Sequence, residues 1–378
     1  TKNDAYDGQK MFRYLGDECL AIGTKILMSD MSFKKIEDVC VGDEVIVEGG
    51  KIMKVGNAYR GFDDMYIIKQ AYGKDYIVNS KHRLYFEARN RKENRNGVCI
   101  MTPTEYINSS YFMKRTLIRS VFSGIEFKEK EYKIDPYILG LWIGDGYSKK
   151  SSILVNHTKD GEIIKEIELY CDKRGFVCDK YIRTDAKNMS IISITDNFNK
   201  GSKFKFREEL ERLGVWGNKH IPKEYLQGSI KQRKELLAGI IDTDGYLSKS
   251  NSYTIGMNKR NIIEDIYNLA KSCGLDTSEI TYKKSNYNTD VYLIKITGND
   301  TIPCKINRKV SESRSNYKSR RVSFSIEPYN YGEYCGITLI ADNDNDRRLI
   351  LEDYTITLNS GKWERPANYE SHWGQISP

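Results

Sequence analysis

The chain repeats itself. "YILGLWIGDGY" (137–147) lies over "LLAGIIDTDGY" (236–246), with Asp145 and Asp244 in equivalent places. At the same offset "EIIKEIELYCDKRGF" (162–176) lies over "NIIEDIYNLAKSCGL" (261–275). Such a duplication restricts the fold more than composition can, because each copy must be one supersecondary unit whose apolar face needs a neighbour. Each copy reads as an apolar helix ending in Asp-Gly-Tyr, a short strand pair and an amphipathic helix stopped by glycine, Gly175 or Gly274. The strand-like runs "MSIISIT" and "VYLIKIT" follow.

Gly140 and Gly239 sit inside the apolar helices, where a glycine weakens a helix by about 1 kcal/mol. Their use there is close approach, backbone to backbone. If the copies pack about a pseudo-twofold axis through these helices, Asp145 and Asp244 arrive side by side. Two adjacent carboxylates repel unless a cation lies between them, and hard oxygen ligands favour Mg²⁺. That is a layout for metal-assisted phosphodiester cleavage. The competing reading is a structural helix pair with solvated acidic ends; a matched acid on each copy weighs against it.

"LAGIIDTDG" (237–245) resembles the motif that names the LAGLIDADG homing endonucleases, and "LGLWIGDG" (139–146) looks like a variant of it. Two copies resemble the single-chain, pseudo-dimeric members, and "NKHIP" (218–222) is similar to a Lys-x-Ile-Pro element of that family. The resemblance implies a monomer with internal pseudo-twofold symmetry whose β-ribbons read double-stranded DNA. Asp145 and Asp244 would hold Mg²⁺, and Lys219 would assist. Ile143 stands where the second copy has Asp242, so only Asp145 and Asp244 are assigned to the metal.

The flanks carry a different chemistry. "CLAIGTKILMSDMSFKKIEDVCVGDEVIV" (19–47) reads as strand, short helical turn, Gly-Asp turn and strand. A thiol at Cys19 can attack the carbonyl of Glu18 and turn a peptide bond into a thioester, although an isolated cysteine is more often a small buried hydrophobe. "CLAIGT" followed by "KKIEDVCVGDEV" resembles the N-terminal splicing motif of inteins, a start shared with Hedgehog-type autoprocessing modules. "DYIVNSKHRLYF" (75–86) resembles the motif in which Thr-x-x-His polarises the scissile amide. Here His82, read as lying on a strand, keeps its place, and Asn79 replaces the threonine while still able to hydrogen-bond.

At the far end, "EYCGITLIADNDNDRRLILEDYTITLNSG" (333–361) resembles the C-terminal splicing motifs, read as two strands joined by the polar hairpin "IADNDNDRR". The resemblance implies that Asn359 cyclises and that Ser360 carries the branched ester. Leu358 stands where histidine is usual, and Arg347 replaces a second basic ring.

With 378 residues the chain exceeds one core. The implied architecture is a mostly β, Hint-type, horseshoe-like splicing domain interrupted by an α+β two-repeat LAGLIDADG endonuclease. Its expected boundaries are an upstream host segment 1–18, splicing parts 19–130 and 325–359, an endonuclease 131–305 with repeats at about 133–200 and 218–300, a linker 306–324, and a downstream host segment 360–378. The splicing part would need no cofactor and act on its own flanking segments. The net charge of +8 permits a polyanionic partner. The basic run "NRKVSESRSNYKSRRVSF" (307–324) reads as solvated linker or phosphate contact. Eight scattered cysteines without a CxxC pair argue against a zinc site or a disulfide framework. No apolar run suits a membrane span and "TKNDAYDGQKMF" is no signal peptide, so a cytoplasmic protein is expected. The joined flanks, "QKMFRYLGDESGKW", resemble the acidic Mg²⁺/ATP motif of P-loop ATPases such as a viral terminase. Two other readings stand beside splicing: a self-cleaving chain that does not ligate and whose endonuclease is inactive, and a DNA-binding LAGLIDADG protein with purely structural flanks.

Overall fold

The computed structural model describes residues 18–359 apart from 72, 91–94, 112–113, 115–117, 122–123, 198–201, 285–288, 298–301, 313–320 and 341–346. Residues 1–17 and 360–378, which include Ser360 and nearly all of the two expected host segments, lie outside the described residues. The chain forms two compact units, one from residues 1–120 with 323–378, the other from 121–322. Among the described residues no helix is long and apolar enough to cross a membrane.

The first unit is built on two long antiparallel strands, Ile52–Gln70 and Phe324–Ile340, paired from Phe324↔Gln70 to Ile340↔Lys54. At 19 residues the longer one spans roughly 60 Å. Register shifts interrupt the pairing between Pro328 and Tyr331 and between Thr338 and Leu339, the first at a proline that cannot donate to the ladder. The short strand Leu20–Ala21 pairs with Phe324–Ile340 through Leu20↔Cys335 and with Tyr76–Asn79 through Leu20↔Val78. Since Tyr76–Asn79 also pairs with Ile52–Gln70, these four strands close into a ring. With neighbouring strands they build a core that holds Leu20, Ile26, Val45, Val55, Ile68, Val78, Leu84, Phe86, Ile337 and Leu339.

Two sequence expectations change here. Cys335–Leu339 and the segment after Leu349 are not arms of one hairpin. The former belongs to the long strand against Ile52–Gln70, whereas Leu349–Ile350 pairs with Ile356–Thr357 across a turn in which Tyr354 has φ 68°. The polar run between them looks like a hairpin tip locally, but a 17-residue strand finds its partner elsewhere. His82 lies in the turn between Tyr76–Asn79 and the strand Leu84–Asn90, not on a strand.

The second unit contains the duplication. Its first copy runs helix Pro136–Asp145, strand Ser152–Asn156, helix Gly161–Arg174, and strands Val177–Ile182 and Met189–Thr195. Its second runs helix Ile230–Asp244, strands Gly245–Leu247 and Tyr253–Met257, helix Arg260–Ser272, and strands Thr281–Lys284 and Asp290–Thr297. Gly175 and Gly274 take φ of 74° and 75°, the left-handed conformation that ends a helix without strain only at glycine. Pro136 at the first helical position and a Ser229–Gln232 capping box start the two apolar helices.

Those two helices touch through their glycines. A Cβ on Gly140 would lie 2.2 Å from the Leu236 carbonyl oxygen, and one on Gly239 would lie 2.2 Å from that of Tyr137. The contact is reciprocal, and any side chain would drive the backbones apart. Pro136 to Ile143 are all buried, which explains why that helix lacks a polar face. The segment at Ile125 packs on the second copy. Arg233, fully buried, donates to the carbonyls of Gly228, Ser272 and Ile125, and Ile125 N–H donates to Ser272 O at 2.8 Å. This is why the second unit begins ahead of residue 131.

Candidate functional site

Two clusters of chemistry emerge, one in each unit. In the first, Cys19 enters the ring of strands fully buried. Its N–H donates to Asn79 Oδ1 at 3.0 Å, and its carbonyl accepts from Asn79 N–H at 3.2 Å. Asn79 Nδ2 donates to Asp63 Oδ2 at 3.3 Å, and the same oxygen accepts from Ser80 Oγ at 2.8 Å. Asp63 therefore fixes which end of the amide faces Cys19, because only the oxygen can accept from that N–H.

The turn closes with His82 N–H donating to Asn79 O at 3.2 Å, which brings the ring into the core. His82 Nε2 lies 2.6 Å from Thr357 Oγ1, and Nδ1 has no hydrogen-bond partner among the described residues. Burial pushes its pKa down to about 3; the nearby Cys19 backbone offsets this in part, and the charge of Arg83 adds to it. The imidazole is thus neutral near pH 7, with one nitrogen open. Two residues beyond Thr357, Asn359 is only 4% exposed, and its Nδ2 has no partner among the described residues. A buried amide nitrogen without a hydrogen bond is costly and demands an explanation.

Gly336 makes the space beside the thiol. A Cβ there would stand 2.7 Å from Cys19 Sγ and 2.2 Å from the Tyr59 ring, whose hydroxyl donates to Ile337 O at 3.1 Å. Gly336→Ala should therefore shift the thiol and slow any thiol-induced cleavage before Cys19 by ~10-fold or more, since misplacement of about 1 Å costs on that order or worse. Gel densitometry over time checks it; an unchanged rate would mean that the thiol position does not matter.

In the second unit, Asp145 and Asp244 close the paired helices. Burial, then repulsion from Asp145, pushes Asp244 up to about 6, while Lys219 and Lys309 pull the other way. Asp145, still reached by solvent, is also raised, by the surrounding protein. Lys219 Nζ donates to Gly144 O at 2.7 Å and lies 5.5 Å from the Trp142 ring centre. Its pKa is brought down to about 8 by burial, with Asp244 and Asp145 opposing.

Lys309 was not singled out from the sequence, being one cation in a basic run. The structure buries it to 3% exposure, and its ammonium donates to the carbonyls of Ile241 and Asp242 at 2.8 Å each. Each apolar helix thus ends on a lysine, the half-buried Lys219 for the first and the buried Lys309 for the second, as the helix dipole favours. Lys309 is therefore not solvated linker. Asp242 is occupied otherwise, accepting from Tyr137 OH at 2.8 Å and from Lys305 N–H at 2.7 Å.

The acidic pair fits a divalent cation. Asp244 Oδ2 is buried with no hydrogen-bond partner among the described residues, and the mutual repulsion is what a cation would relieve. Among the described residues no group of three or more His, Cys, Asp or Glu could hold a metal. Further ligands would be water or substrate oxygens, which suits Mg²⁺.

Of the residues singled out from the sequence, the structure gathers Cys19, Asn79, His82 and Asn359 in the first unit and Asp145, Asp244 and Lys219 in the second. Asp63 and Thr357 were missed. Neither stands out in sequence: one is an acid in a polar stretch, the other part of the alternating "TITL".

Comparison with known proteins gives the family. A family model described as Hom_end-associated Hint matches residues 19–357, from the candidate thiol to the partner of His82. The replicative DNA helicase DnaB of Mycobacterium intracellulare is 28% identical over 257 residues, covering 63% of this chain and 39% of that protein. The homothallic switching endonuclease of Saccharomyces cerevisiae is 28% identical over 170 residues, 38% of this chain and 28% of that protein. The chain thus spans well under half the length of either relative. The solved homing endonuclease I-DmoI, in complex with DNA and Mn, aligns at 16% identity over 43% of this chain and 88% of that one. At a TM-score of 0.30 that overlap carries no argument. The family match spans residues 19–357, nearly the whole chain, and the chain belongs to the Hom_end-associated Hint family, an intein-type Hint domain accompanied by a homing endonuclease.

Proposed function

We propose that residues 19–359 excise themselves and join the flanking segments, and that the second unit cuts double-stranded DNA lacking the insertion. The observation that carries the splicing reading is the 2.6 Å contact between His82 and Thr357. It links the ring behind Cys19 to the strand Ile356–Thr357, two residues before Asn359.

In the first step Cys19 Sγ attacks the Glu18 carbonyl carbon. The thiol proton goes to neutral His82 and is returned to the Cys19 amide nitrogen as the C–N bond breaks, leaving a thioester and a free amine. Asn79 Oδ1 holds the N–H of that amide, and Asn79 N–H holds the carbonyl of Cys19 itself. The Ser360 hydroxyl then attacks the thioester, and the Cys19 thiol leaves with the proton. Asn359 Nδ2, with no partner among the described residues, attacks its own carbonyl carbon; the bond to Ser360 N breaks, one Nδ2 proton passes to that nitrogen, and a succinimide forms. The freed Ser360 amine takes the acyl group from its own oxygen, giving a normal Glu18–Ser360 peptide bond. No cofactor enters these steps.

For DNA cleavage, Asp145 and Asp244 would hold Mg²⁺, which supplies Lewis-acid stabilisation of a phosphodiester oxygen. Lys219, with its pKa near 8, exchanges a proton readily at neutral to mildly alkaline pH. A monomer suffices, since both helix ends come from one chain.

Leu358, buried before Asn359, has no proton to offer and favours a second reading in which the chain cleaves without ligating. Mass spectrometry of the expressed chain distinguishes the outcomes. A joined peptide of 37 residues (18 before Cys19 and 19 after Asn359) supports splicing. Free ends support cleavage alone, and intact chain persisting for hours sinks both. Purely structural flanks do not suit a family match that begins at Cys19.

A further inference from the structure

Glu18 carries the carbonyl that Cys19 would attack, yet its side chain does not face solvent. The residue is 3% exposed and pairs with Arg83 Nε. Arg83 directly follows His82, so the turn that delivers the ring also delivers a guanidinium to the residue upstream of the scissile bond. A carboxylate survives burial only where a partner meets it.

We propose that Arg83 is a specificity determinant, forming a site for an acidic residue, here glutamate, immediately upstream of Cys19. The inference rests on the self-processing reading above and names the substrate class of that same site. The pair is asymmetric: the Arg83 side chain is 26% exposed against 2% for Glu18. When Glu18 leaves with the joined product, water can reach the guanidinium, so release strands no buried charge. A basic residue at position 18 would instead place two cations together beside His82, whose pKa Arg83 already depresses.

The test uses the full chain with Asn359→Ala, so that only the upstream junction reacts, and follows dithiothreitol-induced cleavage before Cys19. Glu18, Glu18→Gln and Glu18→Lys are each paired with Arg83 and with Arg83→Glu. With Arg83 the expected order is Glu, then Gln, then Lys, with Lys slower by ~10-fold or more, as charge reversal at a buried pair predicts. Arg83→Glu should invert the order, so that the doubly reversed chain outpaces either single reversal. An order unaltered by Arg83→Glu overturns the proposal. If Arg83→Glu loses its native circular dichroism, Arg83→Gln replaces it and should flatten the order; an unflattened order overturns the proposal equally. Cys19→Ala is the control. If the chain with Cys19 intact cleaves no faster than this control, self-processing itself fails and the proposal with it. If it cleaves at one rate with all three upstream residues, this inference alone fails.

Discussion

Cys19→Ala should yield a chain that still breaks after Asn359 but not before residue 19, and Asn359→Ala should do the reverse once thiol is added. Neither should give the joined peptide. The expected loss at the altered junction is ~100-fold or more, since no neighbouring group replaces a deleted nucleophile. The uncoupling follows from the geometry. Cys19 is held through its own backbone by Asn79, while Asn359 needs only its own amide nitrogen, already free of partners among the described residues. Intact masses and terminal sequencing after overnight incubation check both variants. Persistent cleavage before residue 19 in Cys19→Ala would assign the nucleophile elsewhere.

The second large effect is expected at the helix ends. Asp244→Asn should abolish cutting of a plasmid that encodes residues 1–18 joined to 360–378, a fall of ~1,000-fold or more for a metal-assisted reaction, while the splicing products stay unchanged. The same substitution should stabilise the metal-free chain. With its folded pKa raised to about 6 from an ordinary value near 3.8, Asp244 favours the folded state fully below about pH 4. That contribution is lost as pH rises through 6, so at pH 7 the ionised group opposes folding. Removing it should raise the melting temperature in EDTA by a few degrees, consistent with ~1–2 kcal/mol in a unit of this size. Mg²⁺ should raise the melting temperature of the unaltered chain at pH 7 but not that of Asp244→Asn. A variant that still cuts, or equal Mg²⁺ shifts in both proteins, would remove Asp244 from the metal site.

The duplication was readable because its signals are local and paired: glycine where helices cross, acid where they end, glycine in the left-handed region where the next helix stops. The Asn79–His82 motif was readable for the same reason, as four consecutive residues, although the turn that holds it was read as strand. What escaped lies in contacts without a local pattern. Thr357 meets His82 across 275 residues, and Lys309 reaches a helix end 66 to 68 residues earlier. The misassigned hairpin has the same origin. Strand preference is settled by the partner a strand finds, and Phe324–Ile340 finds Ile52–Gln70 rather than the next apolar run.

The ring of strands that holds Cys19 also sets a timetable. Three of its members, together with Cys19, Asn79 and His82, emerge early in synthesis, but Phe324–Ile340 and Thr357 come only after the whole second unit. Chains fold as they are made, domain by domain, so the second unit can be complete while the first still lacks a wall. Until that wall arrives, the Cys19 thiol has no finished pocket and His82 no Thr357 beside it. On the proposed chemistry, reaction at the upstream junction would therefore wait until the downstream junction is nearly translated. A nascent chain that breaks off early would then keep its upstream peptide bond intact.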